Sequence, residues 1–321
     1  MRLDLPPLGM GTAAIGNLYR AMPDAEAQAA VRAALDAGIR YFDTAPHYGF
    51  GLAEERLGAA IGGRDDVIVS TKVGRLLVPT DATGERHGFV DARPFEPVFD
   101  YTHDAILRSH EESLGRLRRD RVEILLAHDI GRLTHGATHE AMLGQFLDGG
   151  YSAMRRLRDE GAVDAIGIGV NEVAICLDLL DRIELDMILL AGRHTLLDRS
   201  AAGALLPLCE ARGVRVIVGG PYNSGILARP LAEATELHYD YAAPPPAMVA
   251  KARAIEAEAQ RFGVSLPVAA LHFPLRHPAV ASVIPGMANA AEVADNVARL
   301  AAPVPEAMWA AIDGLSVDSP V

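Results

Sequence analysis

A (β/α)8 barrel is the fold class this sequence predicts, on three observations. Eight short apolar runs recur along the 321 residues, segments of helical period separate them, and no linker, internal repeat or low-complexity stretch divides the chain. Residues 1–321 therefore read as a single domain, long enough for one barrel. The runs are continuously hydrophobic rather than alternating, as strands buried on both faces are.

The elements follow in order. PLGMGTA at 7–13 leads into the amphipathic segment 24–37. RYFDTA at 40–45 and VIVSTKV at 67–73 come next, and after a long connection, 74–101, a helix is expected over 102–119. VEILLAH at 122–128 runs into a second long connection, 129–150. AIGIGV at 165–170 precedes a helical pattern at 171–182, and DMILLA at 186–191 precedes another at 200–212. VRVIVG at 214–219 opens the third long connection, 220–246, before a helix at 247–262; ASVIP at 281–285 is the eighth run. Gly38, Gly161, Gly213 and Gly263 each stand where a helix ends, the position that favours a left-handed backbone. The stretch Pro244-Pro245-Pro246 reads as stiff and outside any helix. Beyond the eight units a C-terminal helix is expected around Glu306–Leu315, with Trp309 anchoring it. The rival architecture, a doubly wound sheet, calls for G-x-G-x-x-G after the first strand, and Gly9, Gly11 and Gly16 miss that spacing.

Composition narrows the function. Acidic residues outnumber basic ones 42 to 30, for a net charge of −12, and the pI is near 5.4. Such a surface repels phosphate backbones and anionic lipid, so neither nucleic acid nor membrane is the expected partner. No apolar run has the length of a membrane helix, and the N-terminus carries no basic-then-apolar leader pattern. Two cysteines, Cys176 and Cys209, fall on helical patterns and make no disulfide framework, which suits a reducing, cytoplasmic setting. Half the residues are hydrophobic, enough for a large core. No heptad or apolar interface stripe indicates an oligomeric state.

Active sites of barrels lie at the C-terminal ends of the strands, so the ionisable residues there carry the functional reading. Asp43 and Tyr48 follow the second run, Lys72 lies in the third and His128 closes the fourth. Free tyrosine, with a pKa of about 10, is a poor acid or base at neutral pH. A neighbouring ammonium favours the phenolate and is expected to lower that value. An aspartate would keep the lysine charged, and an imidazole could bond the reacting oxygen.

These residues sit in a pattern that resembles the aldo-keto reductase superfamily over nearly the whole chain. G-[IV]-R-Y-F-D-T-A-x-x-Y-G matches residues 38–49, S-T-K-V stands at 70–73, and the histidine ends the fourth strand. By position the resemblance implies Tyr48 as general acid/base, Lys72 as the group lowering its pKa, Asp43 as the partner of Lys72, and His128 as the group orienting the substrate oxygen. His47 is a candidate substrate contact. The resemblance also implies a nicotinamide cofactor extended across the barrel mouth. The matching pieces are Gly11, Thr12, Asp43 and Asn171; Gly220, Tyr222, Asn223 and Gly225 within GGPYNSGIL; and Pro285, Gly286, Glu292 and Asn296 within IPGMANAAEVADN. The following helix N-terminus suits a phosphate.

Two departures from the superfamily pattern matter. Where NADP-using members place a lysine and an arginine for the 2′-phosphate, this chain has Gly286 and Glu292. A carboxylate there would disfavour that phosphate, since like charges about 4 Å apart cost roughly 4 kcal/mol at an effective dielectric near 20; NAD is the expected cofactor and NADP the disfavoured one. Where a glutamine of the sixth strand is expected to hold the nicotinamide amide, the chain offers Ala191 and Gly192.

Within the superfamily, DTAPHYGFGLAEERLG, GGPYNSGIL and HPAVASVIPG resemble the branch of D-threo-aldose, L-fucose and L-galactose 1-dehydrogenases and of pyridoxal 4-dehydrogenase. The resemblance implies oxidation of a cyclic aldose hemiacetal to a lactone, with pyridoxal oxidation as the alternative. A cofactor-bound sensor without turnover is a further alternative. A metal-dependent hydrolase using His128, His135 and His139 is disfavoured because the last two read as lying in a loop with no strand-end carboxylate, and no metal is expected. A Schiff-base aldolase on Lys72 leaves Asp43 and Tyr48 unexplained.

Overall fold

The computed structural model describes residues 3–315 apart from Thr235 and Tyr241, so the outermost residues of the 1–321 span lie outside the described chain. Among the described residues ten strands run in chain order: β1 (Met10–Gly11), β2 (Tyr41–Asp43), β3 (Ile68–Val73), β4 (Arg75–Pro79), β5 (Phe95–Phe99), β6 (Ile124–His128), β7 (Ala165–Val170), β8 (Met187–Ala191), β9 (Arg215–Gly219) and β10 (Val280–Ile284). Eight of them form one parallel sheet in the order β1-β2-β3-β6-β7-β8-β9-β10. Parallel bridges from Leu8 to Val283 and from Gly11 to Gly286 join the two edges. The sheet is thus a (β/α)8 barrel with helices around it.

Side chains alternate between the two faces of each strand. Residues of one parity face the helices; those of the other fill the barrel, where Tyr41, Ile124, Leu126, Ala165, Met187, Leu189 and Ile217 form a buried apolar cluster. The helices follow the complementary rule. The helix Asp24–Asp36 buries Ala27, Ala30, Val31, Ala34 and Leu35, one stripe at helical spacing. Gly38, Gly161, Gly213 and Gly263 all have positive φ, as their places after helices require. Trp309 is buried on the C-terminal helix Glu306–Asp313, its ring 6.2 Å from that of Phe273.

Several expectations need correction. Pro246 is the first residue of the helix Pro246–Arg261: a proline's fixed φ suits that position, and the N–H it lacks has no helical partner there. The first strand is two residues rather than seven, because Ala13 already turns into a short helical segment at Ala14–Gly16. The helix expected over 200–212 begins only at Leu205. The connection 74–101 contains an antiparallel hairpin, β4 with β5, in which Arg75 pairs with Phe99 and Pro79 with Phe95. The connection 129–150 is largely helical, at Arg132–His135 and His139–Gln145, so His135 and His139 are helical rather than looped.

Candidate active site

The mouth of the barrel holds a chain of hydrogen bonds built on strand parity. Lys72 stands on the inward face of β3, four residues beyond Ile68 and two beyond Ser70. Its Nζ donates to Asp43 Oδ2 at 2.8 Å, to the Thr44 carbonyl at 2.8 Å and to the Tyr48 hydroxyl at 3.2 Å. Ser70 donates to Asp43 Oδ1 at 2.7 Å, and its hydroxyl lies 3.0 Å from the Tyr41 hydroxyl. Lys72 and Asp43 are both almost wholly buried. Losing one partner of such a pair strands a charge in the interior, at a cost of about 3–5 kcal/mol.

Two close approaches shape this arrangement. Tyr48 lies in the turn before the helix Leu52–Ile61, and Gly49, at φ 64°, follows it; a Cβ on Gly49 would meet the Gly16 carbonyl oxygen at 2.4 Å. The turn after β1 can therefore press against the Tyr48 backbone. On β7, a Cβ on Gly169 would stand 3.2 Å from Lys72 Cε, so the glycine leaves the lysine stem its path across the barrel.

Charge at this mouth is set by burial and by Lys72. Burial raises the Tyr48 pKa above its ordinary value, and the Lys72 ammonium opposes that rise without cancelling it. The net depression expected from the sequence is therefore corrected: removal from water outweighs one ammonium at 3.2 Å. Burial also works against the charge on Lys72, but Asp43 and Tyr48 outweigh it and the ammonium is held above its ordinary pKa. Burial, with Arg75 and Lys72 adding to it, takes His128 well below the ordinary histidine value. His47 is lowered to about 2 by burial, Arg75, His87 and Lys72. Both imidazoles are neutral at neutral pH, and a neutral imidazole can donate one N–H to an oxygen.

Tyr48, Lys72 and His128 line a cavity of about 470 Å³ together with His47, His87 and Phe89. The rings of Tyr48 and His128 lie 6.1 Å apart, edge to face, and His47 stands 5.9 Å from His128 and 5.4 Å from Phe89. The outer wall comes from the connection 74–101: Tyr19 N–H donates to the Gly88 carbonyl at 2.8 Å and Val90 N–H to that of Asn17 at 3.0 Å. His87 and Phe89 had no signal in the sequence, since a wall made by an irregular excursion follows no period. Ser70 and Tyr41 were findable, because they share strand parity with Lys72 and Asp43.

A groove of about 370 Å³ adjoins this cavity and shares Tyr48, Asn171 and Ala191 with it. Gly11, Thr12, Asp43, Gly220, Tyr222, Asn223, Gly225, Pro285 and Gly286 line it, as do Ala191 and Gly192. Thr12 Oγ1 and Asn223 Oδ1 are buried in its wall without a protein partner, and a Cβ on Gly286 would meet nothing within 4 Å. Backbone-lined space with unengaged polar atoms fits an extended dinucleotide. Glu292 and Asn296 are not among the lining residues. The Glu292 carboxylate accepts from Ala288 N–H at 2.7 Å and Asn289 Nδ2 at 2.9 Å, while Asn289 Oδ1 accepts from Glu292 N–H at 3.0 Å. This reciprocal cap starts the helix Ala290–Ala301. Asn296 Oδ1 accepts from the Tyr222 hydroxyl at 2.5 Å, and Asn296 Nδ2 donates to the Glu292 carbonyl at 2.8 Å.

Among the described residues no group of three or more His, Cys, Asp or Glu side chains could hold a metal ion. His135 Nε2 is instead 3.1 Å from the Tyr101 hydroxyl. No described helix is long and apolar enough to cross a membrane.

The chain is 37% identical to pyridoxal 4-dehydrogenase from Microbacterium luteolum, covering 96% of this chain and 93% of that one. It is 38% identical to D-threo-aldose 1-dehydrogenase from a Pseudomonas species, with the same coverage of each. Among solved structures, the holo form of aldo-keto reductase AKR11C1 from Bacillus halodurans superposes with a TM-score of 0.74 at 26% identity, covering 97% of this chain and 92% of that one. The sequence pattern of the Aldo/keto reductase family matches residues 7–317, a span that includes every residue of the hydrogen-bonded chain from Tyr41 to Lys72 and of the cavity above it, and the protein belongs to that family.

Proposed function

We propose that this protein is an NAD-dependent dehydrogenase that oxidises the anomeric carbon of a cyclic aldose hemiacetal to a lactone. The observation that carries the reading is the Asp43–Lys72–Tyr48 hydrogen-bond chain opening, beside neutral His128, into a cavity that adjoins the backbone-lined groove. When bound, the nicotinamide supplies a two-electron acceptor for the hydride leaving the anomeric carbon. Gly11, Thr12, Asn171, the 220–225 turn and Pro285-Gly286 would hold it. Tyr48 takes the proton of the anomeric hydroxyl as the C–H bond breaks and the C=O bond forms. Lys72, fixed by Asp43, stabilises the phenolate, and His128 donates a hydrogen bond to the reacting oxygen.

Preference for NAD is supported by Gly286, which lines the groove, and by Glu292 in the first turn of the helix that follows it. Gly286 and Glu292 supply no cation where a 2′-phosphate would need one. Because Glu292 is engaged in the helix cap, its contribution is negative charge near that phosphate rather than a free acceptor for a ribose hydroxyl. A second reading, oxidation of pyridoxal to its lactone, is favoured by the 37% identity to pyridoxal 4-dehydrogenase. Two free, buried cysteines suit a cytoplasmic enzyme.

The test is the near-ultraviolet absorbance of reduced cofactor, followed with NAD or NADP against L-fucose, L-galactose, D-arabinose and pyridoxal. Reduction of NAD by a sugar supports the first reading, and reduction by pyridoxal alone replaces it with the second. Cofactor binding without turnover of any of the four would point to a sensor.

A further inference from the structure

Asp129 follows His128 directly at the end of β6, and nothing in the acid/base chain uses it. Its φ is 51°, a left-handed conformation that aspartate and asparagine adopt more readily than other non-glycine residues. That backbone turn places Asp129 in the lining of the substrate cavity beside Tyr48, Lys72 and His128. One carboxylate oxygen, Oδ2, is ion-paired with Arg75 and lies 3.5 Å from His128 Nε2. Arg75 is itself held against the Phe99 ring at 4.5 Å, so the hairpin fixes the carboxylate from behind. Among the described residues Oδ1 has no hydrogen-bond donor.

We infer that Asp129 is a specificity-determining residue that accepts a hydrogen bond from the hydroxyl on the carbon next to the reacting one. The inference rests on the reading that the reacting oxygen sits between Tyr48 and His128. With that oxygen bonded by His128, a carboxylate 3.5 Å from His128 Nε2 is within reach of the neighbouring carbon's substituent. The substrate class that follows is the 2-hydroxy aldehyde and its hemiacetals. A substrate that lacks the hydroxyl gives the free Oδ1 no donor in place of the water it displaces, and sites built this way reject the deoxy analogue.

Lactaldehyde and propanal differ only in that hydroxyl, and each is offered to the wild-type protein with reduced nicotinamide cofactor. The quantity to read is the ratio of kcat/KM for the two aldehydes, so each protein serves as its own reference. Wild type is expected to favour lactaldehyde by roughly tenfold to a hundredfold. Asp129→Asn and Asp129→Gly both tolerate the left-handed backbone and are expected to bring the ratio down to a few-fold. A wild-type ratio near one overturns the inference, as does a strong preference that survives both substitutions. If aldoses are oxidised with NAD while the ratio stays flat, Asp129 alone is misassigned. If the ratio collapses as expected but no aldose is oxidised, the anomeric reading fails and Asp129 stands. No reduction of either aldehyde overturns both.

Discussion

The two ends of the barrel interior are made by the same strands and hold opposite chemistry. At the floor and middle, Ile124 and Leu126 of β6, Met187 and Leu189 of β8 and Ile217 of β9 form a dry apolar layer. One inward residue beyond Leu126, β6 ends in His128, and the neighbouring β2 and β3 carry Asp43 and Lys72 beyond Tyr41 and Ile68. The floor is ordinary packing in which each side chain is satisfied by van der Waals contact. The mouth buries an ion pair and leaves Thr12, Thr44, His47, His128 and Asn223 with polar atoms that no protein group engages. Natural interiors rarely leave such atoms unpaired, and at the mouth they stand beside a buried ion pair, where a bound molecule could engage them.

That contrast can be broken from either end. The largest effect belongs to the mouth: Tyr48→Phe removes one oxygen, and turnover should fall roughly 10²- to 10⁴-fold while cofactor binding, measured by fluorescence titration, stays near wild type. Leu126→Ala at the floor should show the reverse pattern. A cavity in the apolar layer should cost about 2–5 kcal/mol in urea unfolding, with the pH profile of the surviving activity unmoved. If Leu126→Ala reshaped the pH profile, floor and mouth would not be separable.

A third prediction concerns a buried histidine away from both. His194 is almost fully enclosed, and neither ring nitrogen has a protein partner. Burial, with His277 and Arg199 adding to it, lowers it to about 4. The unfolded chain therefore binds the proton more readily, below about pH 6.5, so stability is full above that value and is lost as pH falls toward about 4. The loss reaches up to about 3 kcal/mol at 1.36 kcal/mol per unit. His194→Phe should flatten that part of the acid limb in chemical unfolding; an unchanged limb would place the acid sensitivity elsewhere.

Much of this contrast was legible before any coordinates. Continuous apolar runs gave away strands buried on both faces, and the residue that ended each run was the residue at the mouth. The Asp43, Tyr48, Lys72 and His128 positions followed from that logic together with the superfamily motif. What stayed hidden had physical reasons. The hairpin Arg75–Phe99 and the wall carrying His87 and Phe89 belong to an excursion whose geometry is set by contacts with residues 17–19, distant in sequence. Glu292 stood in the cofactor segment of the motif, and its role as a helix cap was hidden because it depends on where the helix Ala290–Ala301 begins. The direction of the Tyr48 shift turned on burial, which weighs more than its visible partner and cannot be read from spacing.

The pH dependence of hydride transfer in the two directions tests the central claim most directly. On the proposed mechanism oxidation needs Tyr48 as phenolate, and burial holds its pKa up. The oxidation rate should therefore climb with pH, by about tenfold per unit below that pKa, while the reduction rate stays level and declines only at high pH. Tyr48→Phe should erase the slope. An oxidation rate that is flat or falls with rising pH, or a slope that persists without the tyrosine hydroxyl, would contradict the assignment of the proton to Tyr48.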